Sequence, residues 1–130
     1  MDRKISSFVG CFFTVMGLTG LAIGAQGATG GLTFTANSAA GRSMTLNFSQ
    51  DVVTSSVKSA VVCSEPAAEL SLAKLWMPDM GHGSSPTTLV RQDDRCTRVD
   101  RLNFLMSGVW ELRVTHNDGD TGVFTFDVVE

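Results

Sequence analysis

The chain runs through Trp110-Glu111-Leu112-Arg113-Val114, a turn at Asn117-Asp118-Gly119-Asp120, and then Val123-Phe124-Thr125-Phe126-Asp127-Val128. Apolar and polar residues alternate in the two runs that flank this turn. A period of two predicts strands with one buried side and one side that faces water. Because an Asp-Gly turn separates them, the two runs predict an antiparallel hairpin, and Trp110 is expected in the core.

Four earlier runs carry the same alternation. They are Leu32-Thr33-Phe34-Thr35, Met44-Thr45-Leu46-Asn47-Phe48, Ala60-Val61-Val62-Cys63 and Leu70-Ser71-Leu72-Ala73-Lys74-Leu75-Trp76. Turn residues separate the runs, and no stretch after residue 30 has a convincing helical period. Six to eight short strands in about 100 residues predict an all-β domain over residues 29–130, an immunoglobulin-like antiparallel β-sandwich.

The first 28 residues have the pattern of a secretory signal peptide. Asp2, Arg3 and Lys4 are followed by no charged residue until Arg42, and residues 8–23 are apolar or small. Small residues then surround several candidate cleavage positions. We therefore expect a periplasmic or secreted protein with no membrane span after cleavage. An uncleaved anchor helix is the alternative, because the apolar stretch is close to the minimum length for a span.

Cysteine usage also favours export. Removal of a signal peptide would take Cys11 with it and leave Cys63 and Cys96 as a pair. Two cysteines in a small exported domain predict a disulfide bond between them. A thiolate metal site or a redox pair is the alternative, although the spacing matches no Cys-x-x-Cys motif.

Charge and motif content exclude several classes of function. Without Asp2, Arg3 and Lys4, the 10 basic and 13 acidic residues of the chain become 8 and 12, and no basic cluster remains. Nucleic acid is therefore not an expected partner. The chain also has no nucleophile motif and only two histidines, His82 and His116, so we do not expect an enzyme. His116 is expected to be an exposed residue beside the hairpin turn.

The candidate chemistry lies in the segment Met77-Pro78-Asp79-Met80-Gly81-His82-Gly83. Thioethers and imidazole are ligands that suit Cu(I), and Met106 follows about two dozen residues later. Met77, Met80, His82 and Met106 are thus the candidate copper ligands, on a loop that extends to Pro86. Pro78, Gly81 and Gly83 are expected to shape this loop, with a positive φ at one or both glycines.

This segment and a second motif, Phe104, Met106, Gly108 and Trp110, together resemble the YtkA-like/FixH-like family of small bacterial extracytoplasmic domains. The resemblance extends over residues 69–128, and Ser107 stands where that family usually has proline. It implies an immunoglobulin-like fold. It also implies a link to copper handling and to the proteins that assemble respiratory oxidases.

Two interpretations of the motif remain open at the level of sequence. In the first, the protein is an exported accessory module that binds Cu(I). In the second, it is a structural or protein-interaction domain without a metal, and the Met/Gly/His loop shapes a contact surface. Methionine often fills gaps in cores, so Met77 and Met106 could be core residues, and His82 could bond only to loop backbone.

Overall fold

A computed structural model describes residues 31–130, and the predicted signal peptide with Cys11 lies outside the described residues. All regular secondary structure in this range is β-strand. The strands are β1 Leu32–Asn37, β2 Ser43–Phe48, β3 Ser59–Glu65, β4 Leu70–Met77, β5 His82–Gly83, β6 Thr88–Arg91, β7 Cys96–Asp100, β8 Gly108–His116 and β9 Thr121–Val128. Residues 31–130 contain no helix that is long and apolar enough to cross a membrane.

The nine strands form two antiparallel sheets. One sheet has the order β1-β2-β3-β7-β6, and the other has the order β5-β4-β8-β9. Aromatic rings connect the sheets in the core, where the Phe126 ring of β9 lies 5.7 Å from Phe34 and 5.4 Å from Phe48. The predicted all-β antiparallel sandwich is therefore confirmed.

The hairpin that motivated the prediction pairs along its whole length, from Gly108 opposite Val128 to Thr115 opposite Thr121. Side chains of β9 alternate between exposed and buried without a break. Trp110 is fully buried, as predicted, and its ring packs edge-on against Phe104 at 5.6 Å.

Strands β4 to β7 differ from the prediction. We expected a loop from Met77 to Pro86, but β4 continues through Met77, and His82–Gly83 forms the short strand β5. A strand of two residues is too short to show a period. Strands β6 and β7 had no predicted counterpart. β6 ends at Arg91, and β7 lies within residues 91–101, which are rich in arginine and aspartate. In β7 the buried position 97 holds threonine, where a buried strand position would usually hold an apolar residue.

The disulfide between Cys63 and Cys96 is confirmed. The two residues lie directly opposite each other on β3 and β7, with Cα atoms 4.0 Å apart. Because the bridge closes a loop over a sequence separation of 33, it is worth about 3–4 kcal/mol in the chain-entropy model.

His116 is buried, so its expected exposure beside the turn was wrong. It is 1% exposed, and its Nε2 lies 2.8 Å from the Ser64 hydroxyl of the other sheet. Its Nδ1 lies 3.2 Å from the carbonyl oxygen of Asp120. The reason is strand periodicity, since Leu112, Val114 and His116 all face inward on β8.

Candidate metal-binding loop

The candidate ligands lie at one end of the sandwich, here called the methionine pole and formed by residues 49–58, 77–82, 101–107 and 129–130. Trp76 near the end of β4 pairs with Glu111 near the start of β8. The end of β4 and the start of β8 therefore lie at the same end of the sandwich. The Val129 amide donates to the Val53 carbonyl at 2.9 Å, which ties the other sheet to the same end.

A tight turn connects Met77 to His82. The amides of Met80 and Gly81 both donate to the Met77 carbonyl, at 3.2 and 3.0 Å, and Met77 then pairs with His82 across β4 and β5. Gly81 has φ of +67°, the left-handed conformation that the loop argument requires of at least one glycine. Pro78 begins the turn, and its carbonyl accepts a 3.3 Å bond from the Gly81 amide.

Gly83 is needed for a different reason. Its φ is not in the positive region, but a Cβ at this position would lie 2.7 Å from the Leu75 carbonyl oxygen. Real Cβ atoms do not approach backbone oxygen so closely. The absence of a side chain therefore allows β5 to pair with the end of β4.

Met77 belongs to the hydrophobic core. It is 4% exposed, and its terminal methyl would lie 2.7 Å from a Cβ added at Gly108. Gly108 makes room for this methyl, and its φ is +131°. Both the space and the backbone conformation therefore favour glycine at position 108. The interpretation of Met77 as a core residue is thus correct as far as packing is concerned.

His82 is half-buried on the same side of its sheet as Met77, because directly paired residues project toward the same face. Its Nδ1 lies 3.0 Å from the carbonyl oxygen of Gly83. A carbonyl can only accept, so the neutral ring must carry its proton on Nδ1. Nε2 then holds the lone pair, and within residues 31–130 no hydrogen bond engages it.

Met80 and Met106 are exposed, unlike Met77. Met80 is 53% exposed in the turn, and Met106 is 42% exposed between Phe104 and β8. The interpretation of Met106 as a core residue is therefore wrong: Phe104 is buried, but Met106, two residues later, is exposed. The buried Trp110 donates its indole N–H to the Met106 carbonyl at 2.9 Å and so holds Met106 at the surface.

The four predicted ligands thus divide into two groups at the methionine pole. Met77 is buried, where it pairs with His82 and its side chain lies next to Gly108. Gly108 follows Met106 by two residues in the chain. Met80 and Met106 are exposed, and His82 is half-buried. Sequence analysis missed the hydrogen bond from Trp110 to Met106. The only sign of this bond in the sequence is that the two residues are four positions apart at the start of a strand.

The candidate ligands at this pole are soft or borderline donors. Among residues 31–130 no group of three or more His, Cys, Asp or Glu side chains is arranged to hold a metal ion. The candidate donors are three thioethers and one imidazole, a set whose chemistry fits Cu(I).

Comparisons of the chain with protein-family models, curated proteins and solved structures find no match. The resemblance to the YtkA-like/FixH-like family stays a prediction from the motif residues.

Proposed function

We propose that this protein is an exported accessory module that binds Cu(I) at the methionine pole. The ligands would be His82 through Nε2 and the thioethers of Met80 and Met106, with Met77 available from the buried side. When bound there, copper would be kept in its reduced form by soft, neutral donors. The protein has a binding role in this proposal and no catalytic one.

The observation that carries the proposal is the state of the His82 ring. Metal-bound histidines usually donate their second ring N–H to an oxygen acceptor, which fixes the tautomer and the ring orientation. His82 already makes this bond with the Gly83 carbonyl at 3.0 Å. Its other nitrogen carries the lone pair, in the same tight turn as an exposed thioether.

Two further features support the proposal. Met80 and Met106 are exposed, so an ion that arrives from solution or from another protein can approach these residues. The Trp110 bond to the Met106 carbonyl lowers the cost of ordering that ligand, because the backbone is already held.

The cellular setting of the proposal comes from the sequence. The signal-peptide pattern supports export, and a disulfide is most common in oxidising compartments such as the periplasm. The family resemblance supports copper-handling or respiratory-oxidase assembly proteins as partners.

The test is titration of the exported, purified protein with Cu(I) against a competing chelator. We expect His82→Asn and Met80→Leu each to weaken Cu(I) affinity at least about tenfold while the melting temperature stays nearly unchanged. Met44→Leu is the matched control, because Met44 is a 1% exposed methionine on β2, outside the pole. That variant should change stability without changing affinity.

A purely structural role predicts the opposite pattern. His82→Asn and Met80→Leu would then lower the free energy of unfolding by about 1–3 kcal/mol, the usual effect of lost packing or an unpaired polar group. Copper affinity would be absent or equal in all variants. The copper proposal is refuted if the wild type binds Cu(I) no more tightly than the variant that combines His82→Asn with Met80→Leu.

A second candidate function is a protein-contact surface without metal. Of the eight large apolar side chains that are exposed in residues 31–130, five lie at the methionine pole: Val52, Met80, Leu105, Met106 and Val129. Exposed apolar side chains gathered in one region are typical of an interaction site. The distinguishing variant is Leu105→Ser, which changes the surface but no candidate ligand. A cellular defect as severe as that of His82→Asn, with no Cu(I) binding in wild type, would favour this function.

A further inference from the structure

A second feature of this end of the molecule is a depression of about 520 Å³ that is rich in positive charge and hydrogen-bond donors. It lies where β7 ends, β3 begins and the chain continues from β5 toward β6. Its polar lining includes Lys58, Ser59, Ser85, Arg101 and Asn103. None of these residues belongs to the proposed copper site.

Arg101 adopts a strained backbone conformation in this depression. Its φ is +63°, and it is the one non-glycine residue with positive φ among residues 31–130. The chain is held on both sides of it: Asp100 pairs with Ser59, and the Leu102 amide donates to the Lys58 carbonyl at 3.0 Å. Leu102 is also buried. Glycine would satisfy this backbone without strain, so the guanidinium itself calls for an explanation.

The positive charge of the depression is not balanced by the carboxylate that lines it. Asp100 accepts two bonds from Arg98, at 2.8 and 2.9 Å. This bidentate bond with Arg98 lowers the pKa of Asp100 and occupies both of its oxygens. Within residues 31–130 neither Lys58 nor Arg101 forms an ion pair with a carboxylate.

Two further groups of the lining have donor protons to offer. The Asn103 side-chain amide donates to the Ser85 oxygen at 3.2 Å, so the Ser85 hydroxyl proton can point elsewhere. The Lys58 ammonium donates one bond to the Ser55 carbonyl at 3.2 Å and has two more protons to offer.

We infer that this depression binds an oxyanion, a carboxylate or phosphate group, between Arg101 and Lys58. The guanidinium fork can bond to two oxygens of either group, while the ammonium and the Ser85 hydroxyl supply further donors. The site is separate from the copper ligands, so either proposal can fail without the other.

The test is an NMR titration of the exported, purified protein at 0.15 M salt. The two probes are inorganic phosphate and a pentaglutamate peptide. We expect saturable shifts at Lys58, Ser59 and Arg101 with at least one probe. Saturation with phosphate indicates a small anion as the ligand, and saturation with the peptide alone indicates carboxylates of a protein partner.

The decisive variant is Arg101→Gly, which removes the guanidinium and relieves the backbone strain. It should weaken binding at least tenfold without lowering the melting temperature. Arg91→Ala is the control, because Arg91 is an exposed arginine at the far end of β6 and pairs with Glu69. The inference is overturned if neither probe saturates, if Arg101→Gly binds as wild type does, or if Arg91→Ala weakens binding equally.

Discussion

Replacing Gly83 by alanine should break the pairing of β5 with β4, whereas the same change at Gly81 should not. The Gly83 Cβ would meet the Leu75 carbonyl oxygen at 2.7 Å, and Leu75 is itself held opposite Leu112 of β8. The core strand cannot yield, so β5 must move away. At Gly81 no atom lies within 4 Å of the added Cβ, and only the positive φ opposes alanine.

The magnitudes follow from these contacts. Detachment of β5 forfeits the two register pairs that join it to β4, and each net hydrogen bond is worth about 0.5–1.5 kcal/mol. Gly83→Ala should therefore lower the free energy of unfolding by about 1–3 kcal/mol. The loss should not be larger, because β5 can detach from β4 and so relieve the steric strain. Gly81→Ala should cost about 1 kcal/mol, the lower end of the penalty for an L-residue in the left-handed region.

Urea unfolding measures both free energies, and hydrogen exchange at His82 reports whether β5 is still paired. Gly83→Ala should lose protection there, while Gly81→Ala should keep it. Cu(I) affinity should fall more in Gly83→Ala, because the pairing sets His82 opposite Met77. If the Gly83 variant is as stable as the Gly81 variant and equally protected at His82, the steric argument is refuted.

Removal of the disulfide by alanine at both Cys63 and Cys96 should lower the free energy of unfolding by about 3–4 kcal/mol, as measured in urea without reductant; a loss below about 1 kcal/mol would contradict the loop-entropy reasoning. His116→Leu leaves a buried serine hydroxyl of β3 without its partner and should cost about 1–3 kcal/mol, part of which a second change of that serine to alanine should recover. A hydrogen bond from Ser38 holds the pKa of Asp120 below its ordinary value of 3.8, so its contribution to stability is complete above that pH and is lost as pH falls through the lower folded-state pKa. Asp120→Asn should accordingly lose less stability than wild type between neutral pH and pH values below 3.8; equal losses in acid unfolding curves would contradict this assignment.

Local pattern was sufficient to predict strands β1 to β4, β8 and β9. Alternation reports which side chains face inward, so the hairpin, the buried Trp110 and the all-β class followed from residues close together in the chain. Strands β5 to β7 were missed or left unassigned. A two-residue strand has no period, and in β7 the buried Thr97 interrupts the apolar signal.

The pairing of Cys63 with Cys96 was also predictable, because residues 29–130 contain two cysteines, which allow one intramolecular bridge. Their direct opposition on neighbouring strands of one sheet was not, since register depends on which strands pair. The burial of His116 could have been predicted from its alternation with Leu112 and Val114, but proximity to a turn was given more weight.

At the candidate site, the sequence by itself determined the donor types and the need for glycine in the loop. Only the tertiary structure decided that Met77 lies in the core while Met80 and Met106 lie at the surface. It also placed the Nδ1 of His82 3.0 Å from the Gly83 carbonyl oxygen, a contact that favours the Nδ1-protonated tautomer of the neutral ring. Composition specifies what a side chain can do, whereas burial and hydrogen-bond partners depend on contacts between distant parts of the chain.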